Sequence, residues 1–364
     1  MPAPVHPPQP GNGYRLPPEA FHAQAWFEDE QRRVFRRTWN LVGDARDLAA
    51  PGDFLTAEVG GEPILVTRDE AGALRAFFNV CRHRGARLLD DHGHCSAIVC
   101  PYHRWQYGLD GSLRNAPQQA TQLPALERAD WGLIPVALAQ WHGLLFVNPD
   151  GSAPPLEQWL DGMPELIGAF RPDTLEELVS STFEFDANWK FYIENHVDWY
   201  HLWYTHPRTL RMWDHAAGHL HNPGPHWASF EPLRADQDAM TPPLDPIAGL
   251  APQLCGLGAH LLFPNLCLFT SEGYFATGLV EPVSPERTRM HFRALVAPGQ
   301  QHTPELAAGM LKAFQEITEV EDAGMTRRLQ ASVHSSAFAV GPMTLDFEAP
   351  ITRFHDAYLA LFEG

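Results

Sequence analysis

The sequence predicts an α+β protein with two domains. The first is a small antiparallel β domain presenting two metal-binding loops; the second is an antiparallel sheet around a long helix. Three observations predict this. Residues 54–147 hold short strand-like runs broken by turn residues. Two Cys/His pairs interrupt those runs, Cys81-Arg82-His83 and Cys100-Pro101-Tyr102-His103. Farther on, three more strand runs precede an apolar repeat at helical spacing over residues 303–329.

Taken in order, residues 1–17 are rich in Pro and Gly and read as an extended or disordered arm. From Pro18 the pattern turns helical, with Phe27, Val34, Phe35 and Trp39 at roughly helical spacing. Strands are expected over 54–59, 64–67 and 74–80, the last running directly into Cys81, with Gly60-Gly61 and residues 69–72 as turns. Gln106-Tyr107 and Asp110-Gly111-Ser112 suggest another hairpin, and 141–147 a last strand before a Pro/Gly-rich linker at 149–155. Residues 1–42 are therefore expected as an arm and helix packing with the second domain, 43–153 as the β domain and 154–364 as the second domain. Within the latter, 156–170 and 174–178 read as helical and 181–189 as a strand. A long polar loop is expected over 213–246, then strands at 261–269, 278–283 and 290–296. The helix at 303–329 is apolar at Leu306, Met310, Phe314, Ile317 and Val320, and a final helix covers 350–362.

Composition narrows the function. At 364 residues and 45% hydrophobic, the chain can bury two cores. Its 26 basic against 44 acidic residues, a net charge of −18, exclude a phosphate-backbone partner. No apolar run approaches the ~18 residues of a membrane span, and the first eighteen residues do not read as a secretory signal. The cysteines at 81, 95, 100, 255 and 267 are too scattered for a disulfide framework. With two of them on metal, the other three are expected as buried free thiols in a reducing cytoplasm.

Two thiolates and two imidazoles suit a single zinc or a binuclear iron cluster. A zinc finger groups its cysteines and its histidines separately, whereas here the types alternate. Alternation suits two loops clamping a Rieske [2Fe–2S] cluster, in which two histidines replace two cysteines on one iron. The second constellation lies in NWKFYIENHVDWYHLWYTHP, with Asn195, Asp198, His201 and His206. On a helix Asp198 and His201 share a face. His206 reaches the same point only where the helix bends or ends, and Pro207 favours an ending. Two imidazoles and a carboxylate with open positions form the facial triad of non-haem Fe(II) oxygenases.

With the RHRG and PYHRW contexts, these two segments resemble the α subunit, or terminal oxygenase component, of the Rieske non-haem iron, aromatic ring-hydroxylating oxygenases. The likeness covers most of the chain. It implies a Rieske domain followed by a helix-grip-like catalytic domain. It implies Cys81 and Cys100 on one iron of the cluster, His83 and His103 on the other, and His201 and His206 on a mononuclear iron. The third iron ligand it implies falls in VEDAGMTRRLQASVHS, with Asp322 chosen over Glu319 and Glu321. Asp198 is expected to bridge His103 of a neighbouring subunit to its own His201, and Asn195, three residues earlier, is grouped with it as catalytic. The Asn195–Asp198 step is closer to relatives acting on alkylated amines, while Asp itself is commoner among ring hydroxylases.

The expected reaction is hydroxylation of a small organic substrate, expected to be aromatic, with O2 and electrons from NAD(P)H. A ferredoxin or flavin reductase delivers the electrons, since no Gly-rich dinucleotide fingerprint is present. The expected assembly is a homotrimer, with or without a β subunit. The alternative substrate is a quaternary or methylated amine. From other classes, an electron carrier and a zinc-stabilised binding module remain. Of the minor features, His215, His219, His221 and His226 are expected in a mobile loop near the active-site mouth, with a third metal site as the alternative. Trp199, Tyr200, Trp203 and Tyr204 are expected as core packing, with an ammonium cage as the alternative. Leu262, Phe269 and Phe275 are nominated as substrate contacts.

Overall fold

A computed structural model describes residues 13–235 and 244–363. Most of the expected N-terminal arm and part of the expected 213–246 loop lie outside these. The chain divides into two units, Glu30–Trp159, and Met1–Asp29 with Leu160–Gly364. Residues 30–42 thus group with the β unit rather than with the second domain. The reason is pairing: Asn40–Asp44 is a strand of the β unit, and the Asn148 side chain donates to the carbonyls of Arg36 and Thr38.

The β unit holds three small sheets. In the first, β1 (Asn40–Asp44) pairs with β10 (Leu144–Asn148), which pairs with β9 (Ala137–Trp141). The second contains β2 (Asp53–Val59), β3 (Glu62–Arg68), β4 (Leu74–Phe78) and β5 (His92–His94) in the order β4-β3-β2-β5. The third is β6 (Ile98–Val99), β7 (Gln106–Tyr107) and β8 (Leu113–Asn115). The single strand expected at 141–147 is instead a hairpin. His142 and Gly143, at φ 45° and 85°, make the tight two-residue turn between β9 and β10. Phe54, Leu65, Phe77, Ile98, Trp105, Tyr107 and Leu133 form one buried core that also contains Cys81 and Cys100.

In the other unit, seven antiparallel strands run in the order β11-β17-β16-β15-β14-β13-β12. They are β11 (Glu176–Phe185), β12 (His219–His221), β13 (Trp227–Glu231), β14 (Leu257–Leu262), β15 (Leu266–Ser271), β16 (Tyr274–Ser284) and β17 (Arg287–Val296). The helix expected at 174–178 is absent because Glu176 and Glu177 pair with Val296 and Leu295 of β17, and pairing overrides local propensity. The strand expected at 261–269 folds back at Phe263-Pro264-Asn265 into β14 and β15. Much of the expected 213–246 loop is the β12–β13 hairpin.

One face of this sheet packs on the helix Pro304–Gln315, whose Thr303 cap accepts from Leu306 N–H and whose first position is proline. Phe183, Phe269 and Phe292 surround the Phe314 ring on that face, with Phe292 stacked at 3.8 Å. The helix does not continue unbroken to 329. Residues Glu316–Asp322 form a π-helical segment before α-helix resumes over Ala323–Val333. That extra residue turns the apolar stripe, leaving Val320 57% exposed although the pattern had it buried.

Candidate functional site

In the β unit the two Cys/His loops have the same backbone. Cys81 N–H donates to Ala86 O and accepts at its carbonyl from Gly85; Cys100 N–H donates to Trp105 O and accepts from Arg104. Each loop turns through a left-handed residue four positions after its cysteine, Gly85 at φ 73° and Arg104 at φ 59°. Two equal turns therefore present one cysteine and one histidine apiece, although the spacing inside them differs by a residue. Both cysteines are buried in the core, while His83 is exposed and His103 half-buried. Sulfur faces inward and imidazole outward.

The side chains fit a [2Fe–2S] cluster. The His83 and His103 rings lie 4.7 Å apart at 74°, and His103 Nδ1 is buried without a hydrogen-bond partner. Burial pushes the Cys81 thiol up, Tyr107 opposes this, and the adjacent Cys100 adds to it. Metal coordination relieves that crowding by taking the sulfurs as thiolates. Burial, then His103 and Arg84, hold His83 below its usual pKa, so its ring is neutral and ready to ligate. Arg82 N–H donates to the Tyr107 hydroxyl at 3.0 Å, which leaves the Tyr107 proton free for Cys81 Sγ at 3.4 Å. Trp105 stacks on His83 at 4.9 Å and 7°.

In the second unit the segment from 189 is two helices, not one. Asn188 caps Trp189–Val197, which ends at Asp198 in extended backbone, and a short helix Leu202–Thr205 follows. Asp198 and His201 therefore meet across a helix break rather than along a helix face. The ligating atoms of His201, His206 and Asp322 lie within 4.8 Å of one another. His201 Nε2 is 3.1 Å from His206 Nε2, and Asp322 Oδ1 is 3.0 Å from the latter and 3.6 Å from the former. Asp322 Oδ1 is nonetheless buried without a well-formed hydrogen bond. Three donor atoms aimed at one point without satisfying each other suit a cation.

Charge agrees. Burial disfavours an imidazolium, yet Asp198 and Asp322 outweigh it and hold His201 at about 9. Burial also opposes ionisation of Asp322, but the two imidazoles hold its carboxyl well below the usual range. Each histidine's other nitrogen meets a different carboxylate: His201 Nδ1 with Asp198 Oδ2 at 3.2 Å, and His206 Nδ1 with Glu321 Oε2 at 2.7 Å. Glu321, a competitor for Asp322 in the sequence, thus points at the far edge of the ring. Glu319 lies outside the cluster of converging atoms. Asn195 is half-buried on the first helix and takes part in none of these contacts.

Other nominated residues divide. By strand register, Phe269 shares the helix-facing side with Trp227, Leu261, Cys267 and Phe292, whereas Leu262 and Phe275 alternate to the opposite face. Phe275 packs there on Phe170. His196 was missed. It packs against Trp227 and Phe269, donates from Nε2 to His260 O, and is pushed by burial to about 4. Its place one turn before Asp198 was the available signal. Trp199 is core, but Tyr200, Trp203 and Tyr204 are 46%, 39% and 72% exposed, so they form no buried cage. His215 pairs with Glu231 inside the fold, and His226 Nδ1 accepts from Phe263 N–H, while His219 and His221 lie in β12. Cys267 is buried as expected, but Cys95 is half-buried and Cys255 exposed.

Comparison with known proteins accounts for both centres. A family model described as ring hydroxylating alpha subunit (catalytic domain) matches residues 172–364, and one for the Rieske [2Fe-2S] domain matches 38–136. The glycine betaine monooxygenase oxygenase subunit of Chromohalobacter salexigens is 26% identical, covering 95% of this chain and 85% of that one. The carnitine monooxygenase oxygenase subunit of Acinetobacter baumannii is 34% identical over 52% of each, so the match spans about half of that relative. A solved quaternary ammonium Rieske monooxygenase has the same fold, with a TM-score of 0.82 at 23% identity over 96% of this chain and 95% of that one. Because the catalytic model takes in more than half the chain and the Rieske model precedes it, the protein belongs to the ring-hydroxylating α subunit family, as a Rieske oxygenase component whose cofactors are a [2Fe–2S] cluster and a mononuclear non-haem iron.

Proposed function

We propose that Cys81, Cys100, His83 and His103 hold the cluster, that His201, His206 and Asp322 hold the iron, and that the protein hydroxylates a small organic substrate. Bound there, the cluster supplies single electrons and the iron supplies O2 activation. The residues supply placement. Two histidines and a carboxylate hold the metal from one side, leaving the other for O2 and substrate, and the buried sheet face with Phe269 and Trp227 keeps water from it. The convergence of the three unsatisfied ligand atoms carries this reading.

Asp198 is the proposed bridge. Its Oδ2 is engaged by His201, and its Oδ1 accepts Tyr200 N–H. Exposed Tyr200, Trp203 and Tyr204 beside it offer an apolar landing for the outward histidine of another copy, whose neighbouring Tyr102 is 57% exposed. A homotrimer, in the cytoplasm, fed by a ferredoxin or flavin reductase, follows from that arrangement.

For the substrate we favour a quaternary or methylated amine, the class named for the betaine and carnitine relatives, hydroxylated next to nitrogen or N-demethylated. The aromatic wall formed by Trp227, Phe269 and Phe314 also accommodates an arene, which is the second reading. The test is metal analysis with a substrate screen using a surrogate reductase. About three irons and two sulfides per chain are expected. His201→Ala should keep the reddish-brown cluster and lose substrate-dependent O2 uptake; retained uptake sinks the iron assignment. Formaldehyde release from methylated amines supports the first substrate reading, and uptake with arenes alone supports the second.

A further inference from the structure

We infer that Glu321 is a positioning residue for the iron site: its carboxylate, held by Thr209, fixes His206 as an Nε2 ligand and strengthens its hold on the metal. The inference rests on the proposed ligand set and goes beyond it. Glu321 and Asp322 are consecutive, yet both reach the same imidazole from opposite edges. Asp322 Oδ1 faces Nε2 at 3.0 Å, and Glu321 Oε2 faces Nδ1 at 2.7 Å. The π-helical segment Glu316–Asp322 ends on this pair.

Donor and acceptor roles settle the tautomer. An ionised carboxylate only accepts, so His206 Nδ1 carries the proton and Nε2 keeps its lone pair for a metal. Thr209 Oγ1, three residues after His206, donates to the same Glu321 Oε2. His206, Thr209 and Glu321 are all buried, at 2%, 3% and 7% exposure, so this contact is shielded from water. A buried carboxylate on the distal nitrogen orients a ligating imidazole and raises its basicity, and its loss typically costs about 10- to 100-fold in metal affinity.

The two histidines are therefore held differently. Asp198, on His201, lies among exposed aromatic residues and also accepts Tyr200 N–H. Glu321, on His206, ends inside the protein on Thr209. The first can be shared with another subunit; the second is a fixed internal charge.

The test measures Fe(II) release from purified holoenzyme to a competing chelator, with the visible spectrum of the cluster as a check on folding. The EPR spectrum of the nitric oxide adduct reports ligand geometry independently of turnover. Glu321→Ala should weaken iron binding about 10- to 100-fold and alter that spectrum, with the cluster intact. Glu321→Gln keeps an acceptor without the charge and should fall between it and the parent. Thr209→Val, which frees the carboxylate without removing it, should give a smaller loss and covers the case in which Glu321→Ala fails to fold. Parent-like affinity and spectra in Thr209→Val and in every folded Glu321 variant overturn the inference alone. Iron retained by Asp322→Ala but abolished by Glu321→Ala overturns it by making Glu321 the ligand. A parent protein that binds no mononuclear iron overturns the functional reading, and the inference with it.

Discussion

Replacing Tyr107 by Phe removes a single proton from the neighbourhood of the cluster and leaves the packing intact. The Tyr107 hydroxyl lies 3.4 Å from Cys81 Sγ, and Arg82 N–H occupies its oxygen at 3.0 Å, so its proton is directed at the sulfur. A hydrogen bond to a charged partner is worth about 1.5–3 kcal/mol. The reduced cluster carries one more electron, shared with its sulfurs, so the donor favours the reduced form. If about 1 kcal/mol of the bond differs between the two states, the reduction potential of a one-electron couple falls by about 40 mV in Tyr107→Phe. A mediated redox titration followed by EPR measures this directly. The ring itself is buried, and its contacts in the core with Cys81, Ile98 and Trp105 remain. An intact cluster with an unchanged or higher potential would refute both the direction of the proton and Cys81 as a cluster ligand.

Two further outcomes concern stability. Gly111 sits at φ 81°, and a Cβ there would lie 2.4 Å from the Phe77 ring, whereas Gly72 at φ 83° has open space around it. Gly111→Ala should therefore cost about 2–4 kcal/mol and Gly72→Ala about 1 kcal/mol in thermal unfolding; equal losses would show that the Phe77 contact does not matter. His260 is wholly buried and held at about 3, first by burial and then by His196 and His221. The unfolded chain takes up a proton near the ordinary pKa of about 6.5 while the folded one does not, so stability falls as pH drops below that value. His260→Gln should remove about 2 kcal/mol of the destabilisation between pH 7 and pH 5 in urea titrations, and an unaltered pH dependence would contradict its burial as a neutral ring.

What the sequence made legible was chemistry carried by side chains at short range. The pairs Cys81/His83 and Cys100/His103 and the His201–His206 step could be read without a fold, because one turn of backbone fixes each. Asp322 needed the family resemblance, since Glu319, Glu321 and Asp322 look alike as letters; only the π-helical segment separates the residue facing Nε2 from the one facing Nδ1. The missed elements share a different cause. Leu262 and Phe275 were misassigned because facing alternates along a strand and the turn at Phe263–Asn265 was not recognised. The helix expected at 174–178 gave way to pairing with β17, a partner more than a hundred residues away. Tyr200, Trp203 and Tyr204 looked like core residues because aromatic side chains usually are; a surface meant to be covered has the same composition.

The surplus residue between Glu316 and Asp322 has a consequence for how this centre can drift. Successive positions on an ordinary helix are about 100° apart. Deleting one residue from the bulged turn would leave a smoother, better-bonded rod, and nothing in the rod itself would resist the change. The cost would fall entirely on the carboxylate, swung round the axis and away from the two imidazoles. Such a deletion would pass for an improvement in any measure of folding while disarming the protein, so here selection for stability and selection for chemistry pull against each other.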